Sequence, residues 1–557
     1  CTPLERAYFQ RFFTFVSKEQ ILGKTGGRVD PSNGFASLWH MPLAEKLESG
    51  NILLGLTIRS KAQSSPNKGY DLIELSIPQQ DDEFLPNFRA GDIIIFYSYK
   101  EQPDVRNQIL MKGNIVSIQP DRITILLRNG QQNKDIIGDE HDTFAIEHDF
   151  SDSSATAAMR GLYAFLSARA DRKALILCQR MPSCCTERKL NGSYGRFDEL
   201  ILKEKQADDY FLLVGPPGTG KTSCALRYMV EEALTEPDAS LLLLSYTNRA
   251  VDEICSMLVD SGIAAQTPFI RIGNELSCDK RFLPYLLKNS LADCPKLTDI
   301  KQKIADTRIF VGTTTAINNR LHLFNLKHFQ LAIIDEASQI LEPDLTGILS
   351  ARCGQANAID KFVLIGDYKQ LPAIAQQSAE EAAVNDPILQ QIGLYDCRNS
   401  LFERLYKQCA DTHRSILHKQ GRMHPAVSEF PNQAFYYYEQ LEPVPLPHQE
   451  EAFPYPDTTK VQDHIDRLLA NRRMIFIPAE TPQEVHLSEK TNLNEARIVA
   501  CLLQHIYRLT EANFDVHKTV GVIVPYRNQI AMIRKEIARL EIPALLDISI
   551  DTVERYQ

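Results

Sequence analysis

An α/β architecture built on parallel sheets is what this sequence predicts, and three observations predict it. The apolar run Tyr210–Val214 feeds directly into Gly215-Pro216-Pro217-Gly218-Thr219-Gly220-Lys221-Thr222, the order of a buried strand, a glycine-rich turn and a helix start. A second apolar run, 331–334, ends in Asp335-Glu336, and a third, 362–365, ends in Gly366-Asp367-Tyr368-Lys369-Gln370. From Tyr210 onward, short apolar strands alternate with helix-length segments. Parallel sheets impose that alternation, because each crossover between neighbouring strands needs a long connection.

Along the chain, residues 1–54 read as a helical linker. Tyr8, Phe9, Phe12 and Phe13 fall on one face of a helix, which a packed amphipathic helix explains by itself. Within 55–148 the β-rich runs 91–96, 113–118 and 123–127 are broken by turn residues and predict a small barrel. Residues 149–206 form stalk helices and a connector, with Met159, Leu162, Tyr163 and Leu166 on one stripe of a helix over 151–170. Residues 207–395 make the first parallel α/β unit, with 274–306, charged and broken by Pro284 and Pro295, as a small insertion. Residues 396–557 make the second, truncated unit. Pro443, Pro445, Pro447, Pro454 and Pro456 punctuate an extended loop over 440–460.

The glycine-rich turn carries the chemistry. Gly215, Pro216, Gly218, Thr219 and Gly220 let successive backbone N–H groups turn toward phosphate oxygens; Lys221 reaches the β and γ phosphates, and the Thr222 hydroxyl holds Mg²⁺. The helix that follows adds its N-terminal dipole to the anion site. A nucleoside triphosphate is therefore the expected ligand. Asp335 is placed to hold the metal and Glu336 to orient or deprotonate water, which fits hydrolysis rather than transfer to a substrate hydroxyl. Gln370 is within reach of a γ-phosphate from the third strand.

These segments, with Asp335-Glu336-Ala337-Ser338-Gln339, Gly366 to Pro372 and Gln420-Gly421-Arg422-Met423-His424-Pro425, resemble the ordered motif set of superfamily 1 helicases of the 5′-to-3′ branch. That branch includes RNA-surveillance helicases and the eukaryotic nuclease-helicase of Okazaki-fragment processing. The resemblance implies two tandem RecA-like motor domains with a small β-barrel and a helical stalk, ATP and Mg²⁺ as cofactors, and ATP-dependent 5′-to-3′ translocation on single-stranded DNA. RNA is the less favoured strand, a monomer is expected, and an RNA helicase or a nucleotide-gated binding module without turnover is the alternative. Lys221, Glu336, Gln370 and Arg422 would be the catalytic set. Thr247 and Asn248, Thr313 and Thr314, and Pro525, Tyr526 and Arg527 match the family's strand-contacting motifs. Thr247 or Asn248 is equally a helix cap, and 311–315 is by itself a β-rich run ending in threonines.

The sequence departs from the family at three places. Gly421 stands where the family has Tyr. The adenine-reading Gln upstream of the loop is missing: Phe197 and Asp198 stand in that region, and Gln206 lies too close to the loop. The chain stops at Gln557 inside Asp551-Thr552-Val553-Glu554-Arg555-Tyr556-Gln557, which resembles the start of the next motif, ahead of the family's second γ-phosphate arginine. Tyr8, Phe9, Phe12, Phe13 and Phe15 followed by Lys18-Glu19, then Leu38-Trp39 and the segment 45–50, are similar to the link between nuclease and helicase in the nuclease-helicases, and an iron-sulphur cluster is expected only upstream of Cys1.

Composition sets the outer limits. With 557 residues and 44% hydrophobic content, about three or four domains with real cores are expected. No stretch reaches the roughly 18 apolar residues of a spanning helix, and no membrane partner is expected. An intracellular location fits, cytoplasmic in a bacterium and nuclear in a eukaryote. The net charge of −10 excludes a uniformly basic nucleic-acid coat, so a strand must be held in a local channel. The twelve cysteines show no C-x-x-C pair, and Cys224, Cys255, Cys353 and Cys501 are expected as buried free thiols.

Overall fold

A computed structural model describes the chain except residues 26–40, 49, 66–67, 79–85, 150–152, 453–454, 456–457, 480–490 and 557. The expectations for Leu38-Trp39, Pro454 and Pro456 lie outside the described residues. Contacts divide the chain into two units, Cys1–Leu22 with Asp152–Glu450, and Gly23–Ser151 with Glu451–Gln557.

The second of these contains a closed antiparallel barrel. Its strands are β1 (Ile52–Ala62), β2 (Tyr70–Ser76), β3 (Ile93–Tyr99), β4 (Met111–Gln119), β5 (Arg122–Gln131) and β6 (Thr143–His148), ordered β1-β2-β5-β4-β3-β6. Alternation closes it: in β2 and over 123–127 of β5 every second side chain is buried, and Leu53, Leu56, Ile73, Leu75, Phe96, Ile115, Ile125 and Phe144 fill the interior, with a register shift in β1 between Leu53 and Leu56. The barrel begins at Ile52, slightly ahead of the expected 55. The same unit carries the parallel pair β18 (Gly521–Val524) and β19 (Ser549–Thr552), packed on helices Leu493–Thr510 and Arg527–Ala538.

Within this unit His148 is buried, stacks on Phe88 at 4.3 Å and donates from Nε2 to the Asn87 carbonyl. Burial first, and the Arg527 charge second, push its pKa down to about 4. Above pH ~6.5 folded and unfolded chains both hold this ring neutral. As pH falls from there to about 4 only the unfolded chain takes up the proton, so stability falls by about 3 kcal/mol. Urea midpoints measured across that window should drop in wild type and drop less in His148→Gln.

The first unit is built on a seven-stranded parallel sheet. Its strands are β7 (Tyr210–Val214), β8 (Leu241–Ser245), β9 (Phe269–Ile272), β10 (Ile309–Thr313), β11 (Phe329–Ile334), β14 (Ile359–Gly366) and β15 (Arg414–Ile416); a small hairpin of β12 (Arg352–Cys353) and β13 (Ala356–Asn357) precedes β14. The order is β15-β7-β14-β11-β8-β10-β9. The core strands are buried throughout and their side chains divide by parity. Leu212, Leu242, Phe310, Ala332 and Leu364 enter one apolar layer, and Phe211, Leu243, Val311, Ile333 and Val363 the other. With the glycine-rich loop after β7 and the acidic pair after β11, one strand apart, this is the RecA-like α/β arrangement.

Four expectations change. The N-terminal helix, Pro3–Thr25, is not simply a linker: Tyr8, Phe12 and Phe15 are fully buried in the first apolar layer. Each such side chain stabilises by about 1.5–3 kcal/mol, which fixes the helix to the sheet. In the stalk helix Ser153–Leu166, Leu162 faces inward as expected, but Tyr163 is 58% exposed and meets the rings of Phe9 and Phe13. The inward stripe runs instead through Ala158, Gly161, Leu162 and Phe165, because the helix crosses Glu342–Leu349 so closely that a Cβ on Gly347 would lie 2.2 Å from the Gly161 Cα. Residues 274–306 are less an insertion than the obligatory crossover between the parallel neighbours β9 and β10, supplied by helix Leu297–Asp306. The boundary expected at 396 falls inside the first unit: β15 pairs with β7, and Leu401, Phe402 and Leu405 join its core.

Smaller differences follow from helix and turn geometry. Residues 440–460 include short β17 (Glu442–Pro443), paired with β16 (Lys419–Gln420), and a helical turn Pro447–Glu450. Cys255 is buried, Cys224 and Cys353 are half-buried, and Cys501 is exposed because its helix turns Ala496, Ala500 and Leu503 inward. Among the described residues no helix is long and apolar enough to cross a membrane.

Candidate nucleotide and nucleic-acid site

The strand β7 delivers the glycine-rich loop to the C-terminal edge of the sheet, where the Gly215 N–H is tied to the Gly366 carbonyl at 2.9 Å. Gly218 and Gly220 have φ of +74° and +80°. A Cβ on Gly218 would also lie 2.4 Å from the Cβ of Arg422, so only glycine serves there. The Thr219 hydroxyl donates to the Pro216 carbonyl at 2.7 Å and locks the turn. The following helix opens with a wide turn over Lys221–Leu226 and continues as Arg227–Leu234.

The polar groups expected from sequence converge here. Lys221 Nζ lies 2.5 Å from Glu336 Oε1, and the Thr222 hydroxyl donates to Asp335 Oδ2 at 2.5 Å. Asp335 is buried, and burial together with the adjacent Glu336 charge raises its pKa to about 6. Burial alone would lower the Lys221 ammonium, but Glu336 and Asp335 together hold it above its ordinary value. Glu336 itself has a left-handed backbone, φ 54°, rare for a residue with a side chain. Arg422 is brought to the loop by backbone: the Gly421 N–H donates to the Gly218 carbonyl at 2.8 Å, and buried Gln420 accepts the N–H groups of Arg422 and Met423.

Gln370 donates through Nε2 to Asp367 at 2.8 Å. Asp367 is fully buried and also accepts from the Tyr436 hydroxyl and the Lys369 N–H. It is the residue that sequence reasoning missed, although it stands inside the recognised Gly366 to Pro372 run. A cavity of about 760 Å³ opens from Thr219 between Phe197, Leu200, Arg414, Leu417 and His418. Gln206 is turned away from it and donates to the carbonyls of Thr186 and Arg188. The neighbouring oxygen donors Thr222 and Asp335 suit a hard divalent cation such as Mg²⁺. Among the described residues, a further cluster with ligand-like spacing, Asp463, Asp466 and His505, already holds the Arg508 guanidinium between its carboxylates.

Two family models, both described as AAA domain, match this chain, one over residues 197–308 and 296–378 and the other over 397–557. Among curated proteins it is 28% identical over 373 residues to "DNA replication ATP-dependent helicase/nuclease JHS1" of Arabidopsis thaliana, covering 67% of this chain and 25% of that protein. It is 24% identical over 580 residues to "DNA replication ATP-dependent helicase/nuclease DNA2" of Gallus gallus, covering 100% of this chain and 51% of that protein. This chain belongs to the superfamily 1 helicases of the DNA2-like type. It spans a quarter to a half of the length of these two relatives. Among solved structures, "Complex structure of Arterivirus nonstructural protein 10 (helicase) with DNA" aligns with 14% identity and a TM-score of 0.28 over 65% of this chain and 59% of that one, too distant to carry weight.

The strand-contacting residues expected of this helicase fall into two groups. Thr247 sits just past the end of β8 and Thr313 is the last residue of adjacent β10, on the same sheet edge as the phosphate loop. Both cap helices: their hydroxyls accept the N–H groups of Ala250 and Ala316, each at 3.1 Å. Asn248 is exposed beside them. Thr314 is fully buried, so its hydroxyl is not presented to a strand. Its place is set by the short helix Thr314–Asn318, which turns the side chain inward. In the other unit, Pro525 and half-exposed Tyr526 form the turn after β18, and Arg527 opens the next helix with its guanidinium 2.9 Å from Asp92.

Proposed function

We propose that this helicase is an ATP-driven 5′-to-3′ translocase on single-stranded DNA, and that the part carrying β18 and β19 belongs to a second RecA-like motor domain. The observation that carries the reading is the pairing of Lys221 with Glu336 beside Thr222 and Asp335. A triphosphate entering the loop offers Lys221 a stronger anion than Glu336, and the lysine's transfer to phosphate releases the Glu336 carboxylate to accept a proton from water. Thr222 and Asp335 would hold Mg²⁺, which when bound neutralises charge on the β and γ phosphates. Arg422, fixed against Gly218, faces the same phosphates. Gln370, tied to Asp367, would report on the γ-phosphate through that hydrogen bond.

Coupling follows from shared position. Thr247, Asn248 and Thr313 stand on the sheet edge that carries the phosphate loop, so a shift of that loop is felt by a strand resting on their helix starts. Their contacts track backbone rather than base. DNA is favoured over RNA by likeness to the DNA replication helicase/nucleases, and the 2′-hydroxyl discriminates the two. The test is steady-state ATP hydrolysis with oligo-dT and with oligo-rU, together with unwinding of duplexes tailed on one strand or the other. Stimulation by oligo-dT and opening of 5′-tailed duplexes are expected. Stimulation by oligo-rU alone would transfer the reading to RNA, and opening of 3′-tailed duplexes alone would reverse the polarity.

A further inference from the structure

The barrel loop ahead of β3 presents Asp92 to Arg527, which opens the helix after β18, and Arg89 to Asp551 within β19. Asp92 Oδ2 lies 2.9 Å from Arg527 Nη2, and Arg89 Nη1 lies 2.6 Å from Asp551 Oδ2. Both pairs are mostly shielded: the side chains of Asp92 and Asp551 are 15% and 19% exposed. Asn51, at the edge of β1, reaches Asn528 at 3.4 Å. Arg534 lies close enough to feel Arg89, Asp547 and Asp551. Arg89 and Arg527 thus face one carboxylate each, Asp551 and Asp92, and the formal charges of the two pairs cancel.

That cancellation conflicts with what a strand-binding loop needs. A cationic side chain contributes to strand affinity by displacing counterions from phosphate, and an arginine already neutralised by a carboxylate contributes little. We propose that Asp92 acts as an internal competitor for Arg527: the barrel carboxylate occupies the guanidinium until a strand phosphate displaces it, so the barrel sets the threshold for strand binding. This rests on the reading of Arg527 as a strand contact. The arrangement suits exchange. Asp92 engages one terminal nitrogen only, and Arg527 is the first residue of a twelve-residue helix whose N-cap, Tyr526, supplies no side-chain hydrogen bond. A phosphate there meets the same guanidinium and the same helix end.

The alternative role for a carboxylate beside an arginine is to aim it, and the two roles predict opposite signs. Asp92→Asn removes the charge but keeps an oxygen for the Arg89 N–H, which Asp92 Oδ2 accepts at 3.0 Å, so the loop turn survives. Binding of fluorescein-labelled oligo-dT, followed by anisotropy over a salt series, should tighten by about threefold to tenfold in Asp92→Asn. Its logarithmic salt dependence should steepen by about 0.7, the single-strand value for one phosphate. In an Arg527→Ala background the Asp92→Asn change should have no effect. A double-mutant cycle on urea midpoints should show Asp92–Arg527 coupling without oligonucleotide and none with it saturating. Weaker or unchanged binding in Asp92→Asn overturns the proposal, as does equal tightening in the Arg527→Ala background or coupling that persists with the strand bound. If Arg527→Ala binds oligo-dT like wild type, the strand runs elsewhere and the competitor role falls with it. The ATPase reading would still stand or fall on Lys221.

Discussion

Lys221→Ala should lose ATP hydrolysis by about 10³-fold or more and bind nucleotide far more weakly. The ammonium lies among the carboxylates of Glu336, Asp335 and Asp367, all close enough to raise its pKa. Without it a polyanionic triphosphate would approach those carboxylates with only backbone amides as counterweight, and neutral donors do not replace a charge-assisted bond. Glu336→Gln separates binding from turnover. It leaves Asp335 and Thr222 in place and relieves Lys221 of its internal partner, so nucleotide should bind at least as well while hydrolysis slows by about 10²–10⁴-fold. Phosphate release and titration with a fluorescent ATP analogue read the two effects separately. Unchanged turnover in Lys221→Ala would remove the site assignment, and lost binding in Glu336→Gln would mean that the two carboxylates have exchanged roles.

Arg404→Ala should destabilise the first unit by about 3–5 kcal/mol, the range for removing one member of a buried ion pair. Arg404 and Glu342 are 2% and 0% exposed in their side chains and meet through two nitrogens. The Tyr8 hydroxyl donates to the same carboxylate at 2.6 Å, and Arg404 also donates to the carbonyls of Ile176 and Ile392. Burial raises the Tyr8 pKa well above its ordinary value, with Glu342 adding to it, so the phenol remains a donor. The network ties the N-terminal helix to the helix that follows the acidic pair. Truncating Arg404 strands a carboxylate in an apolar layer, whereas Arg404→Met with Glu342→Met removes both charges and should recover much of the loss. Urea unfolding of the single and double variants checks this; an Arg404→Ala midpoint equal to wild type would show that the pair contributes nothing.

The sequence made the parallel sheet legible because each strand is a short apolar run ending in a polar turn, and because the phosphate loop needs a strand before it and a helix after it. Barrel strands β3, β4 and β5 were legible for the same reason, while β1, β2 and β6 carry charged or polar residues that blur their alternation. The aromatic spacing of the N-terminal helix marks it as a helix, but its partners run from Phe165 to Glu342, far along the chain, and no local pattern reports that. Asp367 escaped because its importance lies in what it holds, Gln370 and Tyr436, rather than in its own spacing. Thr314 was read as a contact from its residue type, and tertiary packing turned it inward. The Arg527–Asp92 pair joins residues 435 positions apart and depends on barrel geometry that alternation alone does not fix.

Glu336 holds a backbone conformation that glycine or asparagine would adopt at lower cost, the difference being roughly 1 kcal/mol for a residue with an ordinary side chain. Natural selection for turnover and laboratory selection for heat tolerance therefore pull this codon in opposite directions. A library screened only for survival on heating would accumulate glycine or asparagine at 336 and fill with well-behaved, inert proteins. If Glu336 activates water as proposed, its carboxylate serves turnover at the expense of the backbone that carries it.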